Sequence, residues 1–196
     1  MAYQEMPEVP ALSASAMVEA SVWRKLYEHR TLWLRGPIQD QVADTLCAQL
    51  MSLDAESDRP VTLFVNSPGG DMNGMFAVYD VVQLMRAPVD TVCVGLAASA
   101  GAFLLATGTG TRAATPSARI MIHQPWSGQA QGRATDLQIQ ARQIAWMRDR
   151  MNTVLVERTG RPEEEVARDT DRDRWFSAAE AAEYGLIDRV QIVAVR

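Results

Sequence analysis

One serine, Ser99, stands inside Gly95-Leu-Ala-Ala-Ser-Ala-Gly-Ala-Phe-Leu-Leu-Ala-Thr-Gly108, a run otherwise made of apolar or very small residues. A hydroxyl attacks a carbonyl only when a base takes its proton. The chain has two histidines. His29 lies in the charged stretch Tyr27-Glu-His-Arg30, where solvent reaches it. His123 ends an apolar run and precedes Gln124-Pro125, a place that can face a cleft. His123 is therefore the base candidate. Ala100 follows the serine at a predicted helix start, where free N–H groups can meet a developing oxyanion. The segment by itself fits a helix cap equally well. It also lacks the first glycine of the G-x-S-x-G elbow, because Ala97 occupies that position.

Two further stretches could serve the same chemistry. Asn66-Ser-Pro-Gly-Gly70 ends an apolar run with adjacent glycines. Such a turn allows positive φ and close backbone approach, so its N–H groups could donate to a carbonyl or an extended peptide. An ordinary strand-ending turn has the same composition. Arg168-Asp-Thr-Asp-Arg-Asp-Arg-Trp175 offers Asp169, Asp171 and Asp173 as acids to orient an imidazole. A run of this kind is ordinarily a solvated, ion-paired face, and composition does not choose among the three.

These residues need a scaffold, and hydrophobic periodicity supplies one. Helical spacing is predicted near 17–27, 39–54, 74–85 and 134–158, with shorter helices near 162–168 and 178–183. Strands are predicted at 30–36, 61–65, 89–95 and 118–123, with a last one in Leu186-Ile-Asp-Arg-Val-Gln-Ile-Val193. Strands alternate with helices, which implies an α/β fold with a largely parallel sheet. The polar, proline-bearing residues 1–16 read as a flexible segment, and 17–196 as a single domain. Along the long helix, Leu137, Ala141, Ile144, Met147, Met151 and Leu155 form one apolar stripe. Ile139 and Trp146 lie on another, a pattern that calls for two partners.

Composition narrows the function classes. The 196 residues suffice for a core, and 47% of them are hydrophobic. A formal net charge of −5 gives no electrostatic reason to expect nucleic acid or an anionic membrane as partner. Cys47 and Cys93 each sit in an apolar run with neither metal nor redox spacing, which reads as two small buried hydrophobes in a reducing compartment. The N-terminus lacks the pattern of a secretory signal. Positions 91–111 carry no charge, yet glycines cut the run, so a buried strand-to-helix passage is expected rather than a membrane span. A cytoplasmic protein is the expectation.

Taken together, Asn66–Gly70, Gly95–Gly108, Arg119-Ile-Met-Ile-His-Gln-Pro125, Gly132-Arg-Ala-Thr-Asp-Leu-Gln-Ile-Gln-Ala-Arg142, Arg168–Arg174 and Ser177–Asp188 resemble the ClpP family, the proteolytic subunit of the Clp protease. They follow the family's order from about residue 30 to the C-terminus. The resemblance implies a ClpP/crotonase-like fold of repeated ββα units with a protruding handle at about 124–158. It implies a serine endopeptidase that cleaves unfolded polypeptides to short peptides, inside a chamber of two stacked seven-membered rings of itself. An ATP-driven unfoldase such as ClpX or ClpC would feed that chamber. Carried over by position, Ser99 is the nucleophile, His123 the general base and Asp173 the orienting acid. The backbone N–H groups of Gly70 and Ala100 would hold the oxyanion, and Gly69, Gly70, Gln124 and Pro125 a substrate strand. Asp171 and Arg172 fall at the ring junction. No cofactor and no metal is implied.

The chain departs from the family in two places. Before the first helix it lacks the usual gating-loop sequence. The outer-face pocket that receives the unfoldase has Thr62, Ala113 and Thr115 where large apolar side chains are expected, with Phe64, Leu84, Val92 and Val94 keeping some apolar character. Docking is therefore expected to be weakened, with a second ClpP-type subunit supplying the contact. Two other classes stay open: a catalytically weak regulatory subunit of a mixed ring, and a crotonase-type acyl-CoA enzyme.

Overall fold

The structure, a computed structural model, describes residues 14–125 and 132–191. The expected loose segment at 1–16 falls outside the described residues up to position 13, as do positions 126–131 of the expected handle. In chain order the elements are α1 (Ala14–Glu28), β1 (Thr31–Arg35), α2 (Asp40–Glu56), β2 (Val61–Ser67), α3 (Met72–Leu84), β3 (Val89–Ala98) and α4 (Ala100–Ala106). There follow β4 (Arg112–Ala114), β5 (Arg119–Ile122), α5 (Ala134–Thr159), α6 (Glu163–Thr170), β6 (Arg174–Ser177), α7 (Ala178–Tyr184) and β7 (Arg189–Val190).

The strands make one sheet in the order β1-β2-β3-β4-β7, all parallel. Strand β3 forks. Its first half, Thr91–Cys93, pairs with β4, and its last residues, Leu96–Ala98, pair with β5. The change of partner comes at Gly95, where φ is +85° and the β2–β3 register shifts. Strand β5 then pairs antiparallel with β6. A mixed α/β sheet with one antiparallel strand is thus the observed form of the expected fold class.

Alternation sets the core. Val61, Leu63, Val65 and Ser67 bury one face of β2, and the residues between them stay half-buried. Leu46, Leu50 and Leu53 of α2 and Met75, Val78 and Val82 of α3 cover the sheet with their apolar stripes. Every residue of α4 is buried. Its Phe103 packs against Phe76, with ring centroids 5.9 Å apart, and against Tyr79 at 5.4 Å. Fully burying such a ring contributes about 1.5–3 kcal/mol.

Three local outcomes differ from the sequence expectations. Strands β4 and β6 were not expected. β4 has only three residues, and β6 opens inside the charged run, with Phe176 its one buried side chain. The last strand is shorter at its start than Leu186–Val193. Leu186 and Ile187 are buried in the turn after α7, where Gly185 takes the left-handed cap and the Leu186 N–H bonds the Ala181 carbonyl. Cys93 is buried as expected, while Cys47 is only half-buried.

Helix α5 buries only Met151, Asn152, Val154 and Leu155, all in its C-terminal part. Upstream, Leu137, Ile144 and Met147 are half-buried, and Ala141, Ile139 and Trp146 are exposed. The first four turns therefore stand away from the core, as a projecting helix would.

One arginine ties the far ends of three helices together. Arg112 Nη1 donates to the carbonyls of Ala106 at the end of α4, Arg158 near the end of α5 and Gly185 after α7, at 3.2, 3.2 and 2.9 Å. Helix C-termini carry unpaired carbonyls and partial negative charge, which a guanidinium satisfies. The same side chain pairs with Asp188, whose carboxylate also accepts the Arg112 backbone N–H at 2.7 Å. Partial burial pushes the Asp188 carboxyl up, but the Arg112 hydrogen bonds outweigh it and the net shift is downward. An acid lowered on folding adds stability above its unfolded value and loses it as pH falls through the folded one. Arg112→Met should therefore cost about 2–4 kcal/mol in urea unfolding at pH 7. Asp188→Asn should destabilise at pH 7, and the gap to the parent chain should close as pH falls below about 4.

Candidate active site

Three strand ends meet at one place. Ala98 closes β3 and pairs with Met121 of β5, so Ser99 emerges beside β5, its N–H bonded to the Met121 carbonyl at 2.8 Å. Ile122 closes β5 and pairs with Arg174, the first residue of β6. His123 and Asp173 are thus the next cross-strand neighbours beyond the β5–β6 ladder.

The side chains complete the meeting. His123 Nε2 lies 2.8 Å from Ser99 Oγ, and His123 Nδ1 lies 3.1 Å from Asp173 Oδ1. An imidazole held by a carboxylate at Nδ1 presents Nε2 as the acceptor for the serine proton. The His123 side chain is 26% exposed and that of Asp173 59%, so the line runs from half-buried alcohol to open carboxylate. His29, the other histidine, is exposed in the turn after α1 and takes no part.

Ser99 sits at φ 56°, ψ −125°, one of two non-glycine residues at positive φ among the described residues. Its side chain makes no cap hydrogen bond to α4. The G-x-S-x-G pattern is missing, yet the backbone takes the sharp strand-to-helix turn associated with it. Such a conformation costs on the order of 1–3 kcal/mol and persists only where its surroundings enforce it. Here the burial of α4 and the Met121 bond do so.

The glycine turn lies directly against the serine. A Cβ on Gly69 would come 2.7 Å from Ser99 Cβ and 3.0 Å from Ala100 N, and φ there is +95°. Gly70, at φ +152°, has no room for a side chain because the backbone of Ile38 fills the space. The bridge between Ile38 and Gly70 uses the N–H groups of Ile38 and Asp71, which leaves that of Gly70 outside the pairing. Ala100 is the first residue of α4, so its N–H has no intrahelical acceptor. Ser67 fixes the turn. Its hydroxyl donates to the Gly36 carbonyl at 2.6 Å and accepts from the Gly69 N–H at 3.1 Å. Sequence reasoning did not single out Ser67, although a serine two residues before a glycine in a turn carries that signal.

Beside the imidazole, His123, Gln124, Pro125, Asp171, Arg172 and Asp173 line a cleft of about 420 Å³. Gln124 Nε2 donates to the Asp171 carboxylate at 3.0 Å. Arg172 and Asp171 are both exposed and pair loosely with each other at 4.0 Å. Asp169, one of the three acids left open, is instead buried and ion-paired with Arg174, so the charged run is not uniformly solvated.

The positions expected on the outer face are spread over the sheet. Phe64, Val92 and Ala113 share one register across β2, β3 and β4, and that row continues to Trp33 on β1. Val92 and Ala113 are buried, at 5% and 1% exposure, so neither offers surface to a partner. Thr62, Phe64, Val94 and Thr115 are half-buried, and Leu84 is 83% exposed at the end of α3. Trp33 lies tilted against Phe64 at 5.5 Å and meets Trp23 edge-on at 6.5 Å, an aromatic row that sequence reasoning missed. Among the described residues no group of three His, Cys, Asp or Glu side chains is placed to hold a metal, and no helix is long and apolar enough to cross a membrane.

Gly69→Ala should slow labelling of Ser99 by a fluorophosphonate at least about tenfold, because the new Cβ displaces the serine turn. Gly160→Ala, at the end of α5, is the control. It also sits at positive φ, with nothing within 4 Å of a Cβ. It should lower stability by about 1 kcal/mol and leave labelling unchanged. Equal labelling of both variants would contradict the packing described. A family model described as Clp protease matches residues 14–193 of the 196.

Proposed function

The chain belongs to the Clp protease family, and on that premise we propose that it is a serine endopeptidase with Ser99, His123 and Asp173 as its catalytic triad. The observation that carries this is the unbroken relay from Asp173 through His123 to Ser99, at 3.1 and 2.8 Å. His123 Nε2 takes the Ser99 proton as Oγ attacks the scissile carbonyl carbon. The N–H groups of Gly70 and Ala100 receive the negative charge that develops on the carbonyl oxygen. The imidazolium then gives its proton to the leaving amine, and an acyl-serine remains. Water, deprotonated by the same imidazole, releases the acid product. Gly69, Gly70, Gln124 and Pro125 hold the substrate as an added strand, which reads backbone rather than side chains and suits unfolded polypeptide.

A crotonase-type acyl-CoA activity has no use for such a relay, and labelling separates the two. In the parent chain a fluorophosphonate should modify Ser99. In Ser99→Ala and His123→Ala, turnover of a short fluorogenic peptide should fall by roughly 10⁴–10⁶-fold. Turnover that survives in Ser99→Ala would refute the assignment.

We further propose that the projecting half of α5, with Ile139 and Trp146 exposed, joins two stacked seven-membered rings of this chain, with Asp171 and Arg172 meeting across the junction. The chamber so formed receives chains from an ATP-driven Clp unfoldase. The small polar residues at Thr62 and Thr115, beside an Ala113 that is buried and offers no surface, support weak docking by this chain alone, with a second ClpP-type subunit in the same complex carrying the contact. ATP-dependent degradation of a folded substrate should then be slow with the homomeric protein and restored by that second subunit. Robust ATP-dependent degradation by the homomer would end the idea.

A further inference from the structure

Asp173 is poorly held by its own side chain. The carboxylate is 59% exposed, and its hydrogen bond among the described residues is the one to His123. Asp171 and Arg172, just before it, are exposed as well. An acid on an open loop orients an imidazole only if something fixes the loop. Both flanks of this loop are anchored. On one side Thr170 is buried, and its hydroxyl donates to the Val166 carbonyl at 2.8 Å. On the other side the Arg174 guanidinium turns back onto the Asp169 carboxylate. It lies over the rings of Phe176 and Tyr184, at 5.0 and 4.9 Å from their centroids. The Tyr184 hydroxyl donates to the same Asp169 oxygen at 3.0 Å. Asp169 is 9% exposed, so its charge depends on these partners and on Arg168, 3.5 Å away. Burial and the bond to Asp169 push the Tyr184 phenol well above its usual range, which keeps it a donor.

We infer that Asp169, Arg174 and Tyr184 form a clasp that closes the 169–174 loop and positions Asp173 against His123. The inference rests on the triad proposed above. The three are positioning residues: they touch no substrate and act through the Asp173 carboxylate. Arg174 does this from the backbone as well, because it is the β6 residue paired with Ile122, the neighbour of His123. The clasp thus holds acid and base to one register.

A double-mutant cycle on the full chain tests this, with kcat and KM for a fluorogenic peptide, thermal midpoint and native mass measured together. Asp169→Asn should lower kcat about tenfold and leave KM within about twofold, the size of effect expected for residues sharing one network. In an Asp173→Ala background the same change should cost less than about twofold, because the group it acts through is gone. If Asp169→Asn fails to assemble, Tyr184→Phe removes only the hydroxyl and runs the same cycle, with an expected loss of about threefold. Equal losses with and without Asp173, or a shift in thermal midpoint with kcat unchanged, would overturn the clasp. Loss of activity in Ser99→Ala together with equal losses in the cycle sinks the clasp alone. Full activity in Ser99→Ala sinks the triad beneath it.

Discussion

The site depends on one constraint, the pairing of β5 with β3 on one edge and with β6 on the other. Side chains alternate along a strand, so a one-residue slip would turn His123 to the opposite face. The β3 pairing places the serine, and the β6 pairing places the acid. β5 itself has only four residues. Its neighbours therefore fix its register more than its length does. Ile120 and Ile122 lock it into the core, and the Phe176 ring, paired opposite Ile120, packs on Tyr184.

Strain at the serine and packing behind it belong to the same account. A left-handed serine is unfavourable by itself, and α4 supplies the opposing free energy. Its Phe103 is wedged between Phe76 and Tyr79. The helix is held at both ends, by the Met121 carbonyl at the serine and by Arg112 and Arg158 at the Ala106 carbonyl. Trp146 of the projecting helix touches the outer side of this aromatic group through Phe76, at 6.0 Å. The helix proposed to join two rings is thus in contact with the packing behind Ser99.

Long periodic segments were legible in the sequence, and so was the site's core. α2, α3, β1 and β2 show their period because one face of each is buried. β3 reads as a near-continuous apolar run because Thr91–Cys93 are buried on both faces, and α5 is periodic although only its C-terminal part enters the core. Ser99 and His123 stood out by residue type, since a lone hydroxyl among alanines and one apolar-flanked histidine leave few alternatives. Asp173 came from family likeness alone. Nothing local separates it from Asp169 and Asp171, because the difference is tertiary: Asp169 is drawn inward by Arg174 and Tyr184, and Asp173 is left opposite an imidazole. β6 was hidden by its charged start, and β4 by its length. The Trp23–Trp33–Phe64 row was invisible because its members come from three elements: the β1–β2 register sets Trp33 beside Phe64, and the packing of α1 brings Trp23 to Trp33.

The Arg112 hub gives the molecule a sense of order in time. It joins Ala106 to Gly185 and Asp188, with partners up to 76 positions apart in the chain. Asp173 likewise reaches His123 across 50 positions. A polypeptide emerging from the ribosome therefore exposes Ser99 long before the carboxylate that would orient its base has been synthesised. An incomplete chain thus holds Ser99 as an ordinary alcohol, beside an imidazole with no carboxylate yet opposite it.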